Sequence, residues 1–142
     1  MGLRLPVGGV TVLLGPDPAR RFVMQALDDS TGRCASGHSA VRVQRLTAAG
    51  HETVAERLEA LGSAGQGAAS IVLVERVTDG LAAPDRRAVL AAVRGIAAPG
   101  RAVLVDDADP VAALSVADGA LRTDSAGNLA TEPVADLDYL AS

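Results

Sequence analysis

Apolar residues in this chain fall into short continuous or alternating runs, separated by stretches in which they recur with helical spacing. The runs predict strands and the spaced stretches predict amphipathic helices. The predicted strands are Val10–Leu14, Ala40–Gln44, Ser70–Val74, Ala102–Val105, Ala120–Thr123 and Asn128–Thr131. Because helices alternate with most of these strands, the sequence predicts an α/β fold with a mainly parallel sheet.

Proline, glycine and aspartate residues indicate where the helices begin and end. Asp17 is the predicted cap of the first helix, which continues to about Asp29 with Phe22 buried, and Gly62 is the predicted end of a second helix that begins near Ala48. The third helix opens at Pro84. A short fourth helix follows Asp109-Pro110 and runs to about Ala117, and the turn at 124–127 predicts a β-hairpin.

The length of 142 residues predicts a single domain over 1–142, with a tail from about 132 that forms one helical turn or is loose. The net charge is −4, and all 13 basic residues are arginine. Acidic residues and arginines are interspersed, so nothing indicates nucleic-acid binding. No apolar run is long enough for a signal peptide or a membrane span, and we therefore expect a cytoplasmic protein without direct membrane insertion.

The first strand leads into a loop that resembles part of a phosphate-binding loop. Gly15–Ala19 is similar to the start of the Gly-Pro-Asn-Gly-Ala-Gly-Lys-Ser/Thr loop of ATP-binding cassette (ABC) ATPases. In this register Pro18 and Arg20 replace two glycines, Arg21 replaces the lysine, and Phe22 replaces the hydroxyl residue that holds Mg²⁺. The loop therefore has the outline of the family motif without its diagnostic residues.

A second stretch, Ile71–Leu81, resembles the next ABC motif, an aliphatic strand ending in Asp-Glu-Pro-Thr. The resemblance places Glu75 at the metal-binding aspartate and Arg76 at the catalytic glutamate, which reverses the charge there. Ala82 takes the place of the following aspartate. An arginine cannot accept a proton at neutral pH, so this register predicts the loss of the catalytic base.

Two further segments complete the resemblance. Ala102–Asp118 is similar to the segment with the family's switch histidine, and Ala108 stands at the histidine position. Leu46–Gly50 resembles a degenerate form of the family's Leu-Ser-Gly-Gly-Gln signature, at the predicted start of the second helix. Only a short stretch separates it from the first helix, whereas the family inserts a helical subdomain there.

Together these motifs imply a P-loop NTPase-like α/β fold, a mainly parallel sheet flanked by helices, equivalent to a truncated ABC ATPase core. They also imply a non-catalytic pseudo-ATPase that requires no cofactor, with ATP as the one candidate ligand. We expect it to act as a protein-interaction or regulatory module, paired with an active ABC ATPase or with another copy of itself.

Three residues are candidates for weak phosphate binding: Gly15, Arg20 and Arg21. The first helix could offer backbone N–H groups to an anion, and the two arginines add positive charge. This arrangement supports an alternative function, a nucleotide- or anion-binding regulator without hydrolysis. The competing interpretation places both arginines on the solvated surface, bonded to Asp28 or Asp29.

Carboxylates near two strand ends form a further candidate site. Glu75 and Asp106 are candidate metal ligands, and Asp106 lies in a cluster with Asp107 and Asp109. This cluster allows a second alternative function, a residual metal-dependent enzyme. The competing interpretation is a polar loop in which Asp109 caps a helix.

The remaining polar residues form no predicted catalytic or metal-binding site. Cys34 is the one cysteine, and neither His38 nor His51 has ligand spacing to it, so the sequence predicts no disulfide and no zinc site. The charged stretch Glu52–Glu59, which includes Arg57, is expected to form a solvated helix face.

Overall fold

The structure, a computed structural model, describes residues 5–27, 42–126 and 128–132. Six strands form one sheet: β1 (Val10–Leu14), β2 (Val43–Thr47), β3 (Ile71–Glu75), β4 (Ala102–Asp106), β5 (Gly119–Thr123) and β6 (Leu129–Glu132). Their spatial order is β2-β3-β4-β1-β5-β6, and only β6 is antiparallel to its neighbour. The predicted α/β fold with a mainly parallel sheet is confirmed.

In the described ranges four helices cover the two faces of this sheet: α1 (Asp17–Ala26), α2 (Val54–Gly65), α3 (Ala83–Val93) and α4 (Pro110–Leu114). From β1, near the centre of the sheet, the chain crosses to β2 at one edge. It then returns across the sheet in the opposite direction, through β3 and β4 to β5. Because parallel crossovers are right-handed, α1 lies on one face and the other three helices lie on the opposite face.

The two halves of the core reflect this division. Val23 and Met24 of α1 pack with Leu13, Leu73 and Leu104 of the central strands. The residues that alternate with these leucines pack against α2, α3 and α4 on the other face. Strands β1 and β4 are buried along their whole length, which confirms the interpretation of their aliphatic runs.

The boundaries of the edge strand and the second helix differ from the prediction. The strand predicted at Ala40–Gln44 is observed at Val43–Thr47. The second helix begins at Val54 because Thr53 and Glu56 form a reciprocal capping box. Gly62 does not end this helix, which continues to Gly65, since an isolated helical glycine costs only about 1 kcal/mol relative to alanine.

Helix α1 also departs from the prediction. The predicted cap at Asp17 is wrong, because Asp17 is the first helical residue and the N-cap is Pro16, which has no side-chain cap; the carboxyl cap is Leu27. Phe22 was expected in the core but is 64% exposed. The helix ends at Ala26 and Leu27 has an extended backbone, so it stops short of the predicted end near Asp29, a residue outside the described ranges.

The carboxyl-terminal elements follow the prediction closely. Helix α3 has a proline in its first turn, and Asp109 caps α4 by accepting a hydrogen bond from the Ala112 N–H at 3.1 Å. Strands β5 and β6 form the predicted hairpin, in which Asp124 accepts hydrogen bonds from the N–H groups of Ala126 and Asn128. No helix in the described ranges has the length and apolar composition needed to cross a bilayer.

Buried arginine side chains join backbone carbonyl groups of separate segments. Arg57 was expected on a solvated face but is only 4% exposed. Its guanidinium donates to the carbonyl oxygens of Glu52 (3.1 Å), Val77 (3.0 Å) and Asp79 (2.6 Å). This side chain therefore ties α2 to the turn after β3, because one guanidinium binds carbonyl groups of both segments.

Replacement of Arg57 by alanine should lower the free energy of unfolding by about 2–4 kcal/mol, since three carbonyl oxygens lose a charged donor. Urea denaturation followed by circular dichroism measures this change. Arg87→Ala, at an exposed position of α3, is the matched control and should change stability by less than about 0.5 kcal/mol. Equal losses in the two variants would contradict a structural role for Arg57.

Candidate functional site

The carboxyl ends of the parallel strands bring the sequence-predicted site residues to one edge of the sheet. Gly15 follows β1, whereas Glu75 and Asp106 end β3 and β4 and are paired in register. We call this region, defined by Gly15, Glu75 and Asp106, the carboxyl edge. Arg20 and Arg21, in the first turns of α1, lie beside it.

A crevice is expected at this edge between β1 and β4. The helix after β1 lies on one face of the sheet and the helix after β4 lies on the other, which is the topological switch point of an open α/β sheet. In such folds ligands bind in the crevice outside the carboxyl ends of the strands.

The side chain of Arg20 occupies this crevice. It is 5% exposed, and its Nη1 donates to Asp106 Oδ1 and to the carbonyl oxygen of Asp107, both at 2.7 Å. Its Nη2 donates to Asp17 Oδ1 at 3.0 Å. The interpretation of Arg20 as solvated surface is therefore wrong, because its charge is compensated by carboxylates that the fold brings together.

The same contacts determine the protonation behaviour of Asp106, whose side chain is 2% exposed. Burial raises the pKa of the Asp106 carboxyl, because the ionised form loses hydration. The guanidinium groups of Arg20 and Arg76 lower it. On balance the pKa of Asp106 lies above its usual range, because the two arginines offset only part of the effect of burial.

Arg76 joins the loops that follow β1 and β3. It has a left-handed backbone, with φ of 52°, and its N–H donates to the carbonyl oxygen of Asp106 at 2.7 Å. Its guanidinium pairs with the carboxylate of Asp17, and its Nη1 lies 3.9 Å from Asp79 Oδ2. A cation therefore stands where the family resemblance places the catalytic glutamate.

Arg21 and Phe22 face outward on α1. The Arg21 side chain is 59% exposed, and its Nε lies 3.6 Å from Asp17 Oδ2. Phe22 lines an apolar groove of about 380 Å³ together with Pro16, Pro18, Ala19, Ser125 and Ala126. The single phenylalanine of the chain thus contributes to the surface beside the crevice.

Gly15 is packed against β5. Its φ is +125°, a conformation that side chains rarely adopt, and a Cβ at this position would overlap the carbonyl oxygen of Thr123. Pro16 and Pro18 have no N–H group, so two positions of the loop cannot donate to a phosphate. The turn therefore has a glycine where the family resemblance places one, and two of its positions have no backbone donor.

Both candidate metal ligands face arginines. Glu75 pairs with Arg45, which also donates to the carbonyl oxygens of Met24 and Leu27 at the end of α1, and Asp106 pairs with Arg20. A cation would have to displace a guanidinium from either carboxylate. Within the described ranges no group of three or more His, Cys, Asp or Glu residues is arranged to hold a metal ion.

The other carboxylates of the cluster have structural partners. Asp107 is fully buried and accepts hydrogen bonds from Thr78 Oγ1 at 2.6 Å and from the Asp109 N–H at 3.0 Å. Asp109 caps α4, as one interpretation of the sequence held. Cys34 and His38 lie outside the described residues, and His51 is exposed.

The signature-like segment does not begin a helix. Leu46 and Thr47 end β2, and Ala49 and Gly50 precede α2 in a loop. The N–H groups of Ala49 and Gly50 donate to the Glu52 carboxylate at 2.9–3.0 Å, which lowers the pKa of Glu52 to about 2. The backbone N–H groups of this loop are therefore already bound to a carboxylate of the same loop.

Sequence reasoning missed the central contact of the site. Arg20 and Asp106 are 86 residues apart, and no local pattern marks the pair. The one available signal was that Asp106 directly follows a predicted parallel strand and Arg20 lies in the first turns of the helix after another, since the carboxyl ends of parallel strands meet at the same edge of a sheet.

Comparisons with known proteins identify the fold. The sequence matches no protein-family model and no curated protein. The structure matches a chain of a metal-chelate type ABC transporter, solved in an inward-facing conformation, with a TM-score of 0.63. The two chains are 12% identical, and the match covers 96% of this chain and 76% of that chain. The protein therefore has an ABC-transporter-like α/β fold, with a mostly parallel six-stranded sheet flanked by helices.

Proposed function

We propose that this protein is a non-catalytic, ABC-ATPase-like domain that acts by binding a protein partner, either an ABC-type ATPase or another copy of itself. The fold supports the relationship to ABC transporters. One observation carries the non-catalytic part of the proposal, namely the buried contact of Arg20 with Asp106 and Asp107 in the crevice of the carboxyl edge.

The chemistry of phosphoryl transfer explains why this contact matters. Hydrolysis of a nucleoside triphosphate needs Mg²⁺, a cation on the phosphates and a group that orients water. Here Asp106 neutralises Arg20, and Arg76 pairs with Asp17 instead of presenting a carboxylate. Phe22 offers no oxygen to a metal. The loss of several parts of one catalytic unit leaves little activity.

The surface beside the crevice supports the binding part of the proposal. Phe22 is 64% exposed and lies in an apolar groove with two rigid prolines. Exposed aromatic side chains in such settings are typical anchors of protein interfaces.

A second candidate function is an anion-responsive regulator. The observation that favours it is the position of the Asp17 carboxylate among three arginine side chains, those of Arg20, Arg21 and Arg76. Such a set of cations could exchange its carboxylate for another anion. This function also lacks hydrolysis, and it differs from the first in requiring a small-molecule ligand.

The purified protein should release no phosphate from Mg²⁺-ATP above the buffer rate, because Arg76 stands where the family resemblance places the glutamate that orients water. A continuous phosphate-release assay tests this, with Glu75→Ala as the matched variant. Phosphate release that disappears in Glu75→Ala would overturn the non-catalytic assignment.

The buried ion pair should stabilise the fold without any ligand. Arg20→Met leaves Asp106 buried without its cation and should cost about 3–5 kcal/mol of unfolding free energy. Arg21→Met, one position along α1 and exposed, should cost less than about 1 kcal/mol. If thermal denaturation gives the same loss for both, the crevice is not closed by Arg20.

A complex formed through the Phe22 surface should depend on that side chain. Sedimentation velocity of the protein, alone and mixed with a purified ABC-type ATPase, should show a dimer or a mixed complex that Phe22→Asp weakens at least about tenfold. Val111→Asp is the matched control, because Val111 is also exposed but lies in α4. A protein that stays monomeric and binds no ABC-type ATPase would contradict the proposal.

A further inference from the structure

The apolar groove that Phe22 lines, which we call the Phe22 groove, lies between α1 and the turn that joins β5 to β6. Ser125 and Ala126 form the wall on the side of the turn. The groove has a volume of about 380 Å³, and none of the described residues that line it is charged. We propose that residues 133–142 of the same chain, which we call the tail segment, bind in this groove.

The tail segment is attached close enough to reach the groove. It follows β6, in which Leu129 pairs with Thr123 near the turn and Glu132 lies three residues further on. The path from Glu132 back to the level of Leu129 is therefore about 10 Å, at about 3.4 Å per residue. The ten residues of the tail segment span up to about 33 Å when extended, which is enough to return to the groove.

Strand β6 also lies beside the face of the sheet on which the groove is found. Leu129 packs against the core cluster that contains Val23 and Met24 of α1. Because β6 is the strand next to β5 at the edge of the sheet, the chain leaves β6 beside the face that α1 covers. The tail segment can therefore reach Phe22 without passing to the other face.

The sequence of the tail segment fits an apolar groove. It reads Pro-Val-Ala-Asp-Leu-Asp-Tyr-Leu-Ala-Ser, in which Leu137, Tyr139 and Leu140 bring three large, mainly apolar side chains within four positions. The first of them is the fifth residue of the segment, about 16 Å of extended chain from β6. These side chains can therefore lie against Phe22, and their burial would remove apolar surface from water.

Charge favours the same occupant. The tail segment contains Asp136 and Asp138 and no basic residue. Arg21, the neighbour of Phe22 in α1, is 59% exposed, and its Nε lies 3.6 Å from Asp17 Oδ2, which is longer than a hydrogen bond. This guanidinium can therefore attract a carboxylate of the tail segment beside the groove.

Attachment to the same chain gives the tail segment an advantage over other occupants. Phe22 is 64% exposed, and no described residue covers it. A short tether raises the effective concentration of a bound segment to the order of millimolar. Even a weak apolar contact is then formed for most of the time, whereas a separate molecule must reach a similar concentration to replace it.

The regulatory consequence rests on the proposed function, in which Phe22 contacts a protein partner. The tail segment and the partner would compete for one surface, so that the partner binds only when the tail segment is released. The apparent affinity for the partner falls by the fraction of molecules in which the groove is open. The tail segment would therefore act as a built-in inhibitor of complex formation.

Tyrosine fluorescence of the full chain tests the docking directly. Tyr139 is the one tyrosine and tryptophan is absent, so this emission reports on the tail segment alone. Phe22→Asp should raise the acrylamide quenching constant of Tyr139 at least about twofold, because the ring becomes accessible. Phe22→Ala should change it in the same direction. Val111→Asp, at a 74% exposed position of α4, is the matched control and should leave quenching unchanged.

Disulfide trapping identifies the molecule from which the tail segment comes. With Cys34→Ser as background, Ser125→Cys combined with Ala141→Cys should give a cross-linked monomer when oxidised glutathione is added. Val111→Cys combined with Ala141→Cys is the control and should give none. A covalent dimer would assign the groove to a second copy and overturn the proposal, as would equal quenching of Tyr139 in Phe22→Asp and the unmodified protein.

A variant of the tail segment separates this inference from the proposed function. Leu137→Asp combined with Leu140→Asp should uncover Phe22 and tighten binding of an ABC-type ATPase, or of a second copy, at least about tenfold in sedimentation velocity. Protection of Tyr139 without such a gain would support the docking and contradict the proposed function. Full accessibility of Tyr139 in the unmodified protein would overturn the docking and leave the proposed function in place.

Discussion

The carboxyl edge depends on one buried ion pair, in which Arg20 of α1 meets Asp106 at the end of β4. Removal of either charge alone would take away the closest counter-charge of a group in a low-dielectric interior, and such losses cost several kcal/mol. The pair therefore fixes α1 against the centre of the sheet. It also places a cation, already neutralised, in the crevice where an α/β fold of this kind would hold a ligand.

Arginine has a wider structural role in this protein, which contains no lysine and almost no aromatic residues. Arg57 binds three backbone carbonyl groups, and Arg101 donates to the carbonyl oxygens of Ala69, Gly65 and Ile96 at 2.9–3.1 Å. Because a guanidinium presents several donors in one plane, it can satisfy several loop carbonyls at once. These side chains hold loops together in a fold whose described core is built mainly from aliphatic residues.

The sequence predicted the elements whose signals are local. The aliphatic runs of β1 and β4 and the Asp109 cap were identified correctly, since burial on both faces and helix capping leave patterns within a few residues. The predictions for Arg57 and Phe22 were wrong because their burial depends on tertiary contacts. Arg57 looked solvated because its carbonyl partners include Val77 and Asp79, which are distant in sequence, and Phe22 looked buried because apolar character does not reveal which surface is free.

The contacts of Arg45 affect how readily the connection between α1 and β2 can change in length. Its guanidinium joins the edge strand β2 to the last carbonyl groups of α1 and to Glu75, so the two ends of the connection between α1 and β2 are held close together. The entropy of closing a loop grows only with the logarithm of its length. A module could therefore be gained or removed between these anchored ends at little thermodynamic cost, while the sheet beneath keeps its strand order.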